Sequence, residues 1–249
     1  MSVTAGRWFP TLVATVAMAV LAGCGGDRSG GPTGSPGDVV GRAPDTTLSA
    51  GTARIMINGP TAAASGVVDL VKRSGRLTVR ATGIPTPAMV TVVAGVGYID
   101  QAPSRPALRL ATAVPDVLSG GDPFADLDLI RGTVHILSDG GNEVEGVSTI
   151  AYTLTIDPKQ ALDTTPPERR DAVAALLAGR TLPFPIEVWI DASLRVRRVE
   201  VPTDLRPTTP STRSDRMPIA TDVDFVSFGV PVGTVTMPQA GGTMPQAGG

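Results

Sequence analysis

Cysteine and histidine each occur once in this chain of 249 residues. A lone Cys24 rules out an intrachain disulfide and a thiolate metal cluster, so any fold must be held by packing. A lone His135 leaves a histidine-based catalytic triad no other base, and no Gly-x-Ser-x-Gly elbow accompanies it. Aromatic residues make up only 4% of the chain, so its interior must be built from small branched side chains. Charge of one sign is lacking too: the formal net charge is -2. Without a basic stripe the electrostatic footprint of a nucleic-acid binder is missing, and nucleic acid is excluded as a partner. The only long apolar run, residues 9–21, falls short of the roughly 20 residues that a spanning helix requires.

That run nevertheless has a meaning. Arg7 and the amino terminus form a short positive region, Phe9 to Leu21 an apolar one, and small residues lead up to Cys24, which is the layout of a secretory signal. Leu21-Ala22-Gly23-Cys24 resembles the bacterial lipobox. The resemblance implies diacylglyceryl transfer to the Cys24 sulfur and cleavage between Gly23 and Cys24, leaving an extracytoplasmic chain held on the cell membrane by its acyl chains.

The expected organisation follows from composition. Residues 1–23 are the signal and 24–47 are the lipidated cysteine with a flexible tether of Gly, Ser, Pro and Asp. Residues 48–236 form one domain. Residues 237–249 carry a twofold Thr-Met-Pro-Gln-Ala-Gly-Gly repeat, expected to be a disordered tail.

Within the domain, short Val-, Ile- and Thr-rich segments separated by Gly, Pro and Ser predict strands at 52–58, 66–71, 76–81, 89–99 with a fold-back at Ala94-Gly95, and 107–112. Alternation from Thr149 puts Ile150, Tyr152, Leu154 and Ile156 on one face of a long strand. Strands at 184–191 and 194–201 are joined by a tight turn at Asp191-Ala192-Ser193, and a last strand spans 218–228. Asp122, Pro123, Phe124, Leu127 and Ile130 predict a short amphipathic helix stopped by Gly132. Thr165-Pro166-Pro167-Glu168 reads as a capping box leading into a second helix through Val173, Leu176 and Leu177. An antiparallel sheet with one apolar face and two covering helices gives an α+β fold.

Three pieces of this pattern together resemble the LppX/LprG lipoproteins of actinobacteria: Glu145-Gly146-Val147-Ser148-Thr149-x-x-Tyr152, Pro185 to Asp191, and Asp224 to Val232. The resemblance implies a strongly curved antiparallel sheet, a half-open barrel of the LolA/LolB kind, with helices on its concave face. It further implies a cavity that takes up acyl chains of a lipid or lipoglycan during export, with a membrane transporter as a candidate further partner. The residues expected to face that space are Leu127, Ile130, Ile150, Tyr152, Leu154, Val173, Leu176, Leu177 and Val188. They either line a lipid cavity or fill a dry core, and the sequence leaves both open. The alternative function is an accessory lipoprotein with a filled core that binds a protein partner.

No cofactor or metal site is expected. Asp122, Asp126 and Asp128 suit a helix cap and a solvated helix face better than a cation site, since the EF-hand pattern is absent. Arg195, Arg197 and Arg198 read as a solvated strand, with anionic headgroups as the sharper alternative.

Overall fold

The structure is a computed structural model in which residues 31–100, 107–110, 122–202, 220–237 and 240–243 are described. The signal-like segment and Cys24 lie outside the described residues, as do parts of the expected strands at 107–112 and 218–228. Eleven strands run in chain order: β1 (Thr52–Asn58), β2 (Ala62–Asp69), β3 (Ser74–Ala81), β4 (Ala88–Val93), β5 (Val96–Ile99), β6 (Ala107–Arg109), β7 (Thr133–Val144), β8 (Val147–Ile156), β9 (Phe184–Asp191), β10 (Val196–Pro202) and β11 (Ala220–Phe228). A twelfth, β12 (Ala240–Thr243), pairs in parallel with β6.

All twelve belong to one sheet in the order β12-β6-β5-β4-β3-β2-β1-β11-β10-β9-β8-β7. Apart from β12 every pairing is antiparallel. The sheet does not close, because β7 and β12 stand at its two ends. Strand twist makes so wide an open sheet curl, and the result is a half-open barrel with its helices on the concave face. One continuous core joins the inner residues of β1, β3, β4 and β8 to β11 with those of the helices. A smaller apolar group, Val144, Ala151 and Trp189, is separate from that core.

Alternation made several of these strands readable. In β3, Leu77 and Val79 are buried while Arg76 and Arg80 are exposed. The hairpin from β9 to β10 turns where expected: Asp191 Oδ1 accepts hydrogen bonds from Ser193 N at 2.8 Å and Arg195 N at 3.0 Å, and Leu194 takes the left-handed conformation at φ 60°. The fold-back after β4 uses Ala94 and Gly95, both at positive φ.

Four expectations need correction. Residues 36–47 are not a tether, because Pro36–Ser49 forms helix α1. Ser35 caps it by accepting from Asp38 N at 3.2 Å, proline occupies the first turn, and Val39, Val40, Ala43 and Thr47 are buried against the core. Burial of that stripe outweighs the poor helix propensity of Gly37, Gly41 and Pro44. Thr165 does not cap the second expected helix. It ends an unanticipated helix, α3 (Pro158–Thr164), where its hydroxyl donates to the Ala161 carbonyl at 2.7 Å. A 3-10 turn (Pro167–Arg169) then leads into α4 (Arg170–Leu176), whose Val173 is buried. Strand β7 was not anticipated at all, since Gly140 and Gly141 interrupt it and most of its residues are exposed. Finally, four residues of the expected disordered tail, Ala240–Thr243, form β12.

Candidate functional site

The concave floor is laid down by β8, β9 and β10. Register places Ile150 opposite Ile190, Tyr152 opposite Val188, and Leu154 opposite Ile186, so one row of apolar side chains crosses the strands. Above them lies α2 (Ala125–Leu129), continued by a 3-10 turn (Ile130–Gly132). Asp122 Oδ1 accepts from Phe124 N at 2.9 Å and Ala125 N at 3.1 Å, which anchors the start of this helix as its sequence implied.

The structure brings the nine candidate residues together in or against one core. Leu127, Ile130, Tyr152, Leu154, Val173, Leu177 and Val188 are buried within it, and Ile150 and Leu176 pack on it half-buried. Leu127, Leu154, Val173 and Val188 are fully enclosed, so this part of the interior is packed side chain to side chain.

Open space lies to one side. A pocket of about 350 Å³ separates the amino-terminal half of α1 from the start of β7. Gly37, Gly41 and Pro44 of α1 form one wall, Thr133 and Ile136 of β7 the other, with Ile130 and Arg131 at the base. Of the nine candidates only Ile130 borders it. The α1 wall is lowest at Gly41, where an added Cβ would meet nothing within 4 Å. Sequence reasoning missed Gly37 and Gly41 by placing them in the tether. Ser35-Pro36-x-Asp38 followed by buried positions at helical spacing was the signal that would have located them.

Charge at the pocket is cancelled locally. Arg131 pairs through Nη2 with Asp45 at 2.5 Å and through Nε with Asp128 at 3.1 Å, while Arg169 Nε stands 3.2 Å from the other Asp128 oxygen. The hydrogen bond from Arg131 holds the Asp45 carboxyl below its ordinary value. No excess positive charge is left for an anion, and the lining is polar and apolar in nearly equal measure.

The aspartate cluster departs from expectation. Asp126 and Asp128 do not lie on a solvated face, since each is only 1% exposed. Burial pushes both carboxyls up, and for Asp126 the neighbouring Asp122 adds to the rise while Arg180 opposes it. Neither oxygen of Asp126 has a hydrogen-bond partner. A three-residue apolar spacing shows that a helix is amphipathic but not whether its other face is covered, and here α2 packs against α3 and α4 as well as the sheet.

Of the three arginines, Arg197 turns fully inward, while Arg195 and Arg198 stay about a third exposed. Arg197 is buried, its Nε 2.7 Å from Asp191 Oδ2 and its Nη1 donating to the carbonyls of Phe225 at 3.4 Å and Val226 at 3.2 Å. Arg198 grips Asp224 with two hydrogen bonds, at 2.5 and 2.7 Å, and lies over the Trp189 ring. Arg195 stacks on Phe228. These contacts hold β9, β10 and β11 together. His135 is exposed on β7. Among the described residues no group of three or more His, Cys, Asp or Glu could hold a metal ion, and no helix is long and apolar enough to cross a membrane.

Comparison with known proteins matches the fold. The crystal structure of lipoprotein LppX from Mycobacterium tuberculosis superposes with a TM-score of 0.53 at 13% identity, covering 81% of this chain and all of that one. LprF from Mycobacterium bovis gives 0.49 at 15% identity over 82% of this chain and 96% of its own. A LolA-superfamily protein from Nitrosomonas europaea gives 0.27 at 9% identity over 77% and 91%. No family model matches the sequence, and no curated protein does. The chain therefore has the curved-sheet fold of LppX.

Proposed function

We propose that this chain is a membrane-anchored lipoprotein that holds the acyl part of a lipid or lipoglycan between its open sheet and α1, and carries it across the cell envelope without catalysing a reaction. The observation that supports this reading best is the pocket beside α1, about 350 Å³ with Gly37, Val40, Gly41 and Pro44 in one wall. That volume lies within the range of small-ligand sites. Enclosing a few hundred Å² of hydrocarbon is favourable by several kcal/mol at about 25 cal/mol per Å², so binding needs no covalent step. Neutralisation of Arg131 by Asp45 and Asp128 favours an uncharged chain over a phosphate at the base of the pocket. The LppX fold and the lipobox-like Leu21-Ala22-Gly23-Cys24 accord with such a role, and a membrane transporter would be the natural donor or acceptor.

Continuous packing of Leu127, Leu154, Val173 and Val188 favours one rival, an accessory lipoprotein with a filled core that binds a protein partner. Organic extraction of the full-length protein purified from membranes, read by mass spectrometry, separates the two. A carrier yields stoichiometric lipid. Repeated absence of lipid, with a protein partner captured by cross-linking, supports the rival and overturns the carrier.

A further inference from the structure

The chain between Cys24 and the folded domain is much shorter than its composition implies. Gly31 already lies against the domain: a Cβ built on it would stand 2.6 Å from Ile150 Cγ1. From Cys24 to Gly31 the chain advances seven residues, which reach at most about 25 Å in any conformation. A compact domain of this size is roughly 40 Å across. If Cys24 carries acyl chains, the leash is shorter than the body it holds, and the domain cannot turn an arbitrary side to the bilayer.

The β7 flank is among the surfaces nearest that attachment point. Ile150 pairs with Gly141 of β7, four residues or about 13 Å along the strand from Leu137. Among the described residues β7 has no partner on its outer edge. Long edge strands are normally blunted by charge, proline or bulges; this one is irregular at Thr133/His135 and at Ser138/Gly140, yet it exposes Val134 at 52% and Leu137 at 54%. Asp139 and Glu143, its carboxylates, lie on the far side of Leu137, so the Thr133–Leu137 half carries no acid.

We infer that the Thr133–Leu137 half of the β7 edge is a docking surface for the lipid bilayer, with Val134 and Leu137 seated in the headgroup boundary. Thr133 and Ile136 of the same half-strand line the α1 pocket, so docking there sets the pocket beside the membrane. This orientation rests on acylation of Cys24, the anchoring part of the proposed function.

Because Cys24 is the only native cysteine, its acylation leaves an introduced thiol as the sole labelling site. The full-length acylated variants Leu137→Cys and Ile84→Cys, each labelled with bimane, are placed in vesicles of phosphatidylethanolamine and phosphatidylglycerol containing a doxyl-labelled lipid. Ile84 is an exposed control on the β3–β4 connection. Side chains held in the headgroup boundary should be quenched roughly threefold more strongly at position 137 than at 84. Equal quenching at the two positions in acylated protein overturns the docking surface while leaving lipid carriage untouched. A pyrene label at 137 that forms excimers with rising protein density, without lipid quenching, assigns the edge to a second copy and also overturns it. Protein whose mass shows no acyl group and which fails to float with vesicles has no leash, and that result removes anchor and orientation together.

Discussion

The Thr47 hydroxyl accepts a 2.8 Å hydrogen bond from the Val196 backbone N–H and donates one of 2.7 Å to the Ala43 carbonyl. This pair joins α1 to the turn end of β10 inside the core, where Thr47 is fully buried. A segment whose composition reads as linker is thereby made part of the domain. Replacing the hydroxyl by a methyl in Thr47→Val leaves a buried donor unpaired. The variant should lose about 1 to 3 kcal/mol of stability, read from denaturant unfolding.

Gly41 offers a test with the opposite sign. It sits within α1 and borders the pocket, and added atoms meet open space. Gly41→Ala should raise stability by roughly 0.5 to 1 kcal/mol through helix propensity alone. Gly41→Leu should keep the fold but fill the pocket, so extraction should recover less lipid from it than from the parent protein.

Asp191 fastens three strands. Its Oδ1 closes the turn, its Oδ2 pairs with Arg197, and Arg197 reaches the carbonyls of β11. Asp191→Ala would leave Arg197 buried without its counter-charge, at a cost of about 3 to 5 kcal/mol. Thermal unfolding should show a large fall, and a double variant with Arg197→Leu should recover part of it.

Asp126 makes stability depend on pH in an unusual direction. Its folded carboxyl lies well above the ordinary value of 3.8, chiefly through burial. Between 3.8 and its folded value the native state therefore holds a proton that the unfolded chain has released. The stability contribution is fully present below about 3.8 and is lost as pH rises through the folded value. Asp122 and Asp128 shift the same way. Asp126→Asn should flatten this slope and gain stability at neutral pH, measured by denaturant unfolding across the acidic to neutral range.

What the sequence disclosed depended on whether local pattern and environment agreed. β1 and β9 were legible at both ends, because alternating apolar residues stop at glycine, proline or the Asp191 turn. The β9–β10 hairpin was legible for the same reason. β7 was not, because an edge strand exposed on both faces has no alternation to display and carries Gly140-Gly141 within it. Helix α1 was hidden by two glycines and an internal proline, although Ser35 and Asp38 mark its start. The apolar candidates share one core, yet periodicity alone does not tell a packed core from a lined cavity. The pocket arises instead from side chains that are missing at Gly37 and Gly41. Burial of Asp126 and Arg197 was beyond reach, since it depends on elements brought in from distant parts of the chain.

The central claim is that an acyl chain lies between α1 and β7. The direct test is a fatty acid bearing a terminal diazirine, bound to the full-length protein, photolysed, and mapped by peptide mass spectrometry. The account predicts adducts concentrated in residues 36–44 and 130–137, reduced in Gly41→Leu. Adducts confined to other segments, or none above the level of a soluble diazirine control, would contradict it.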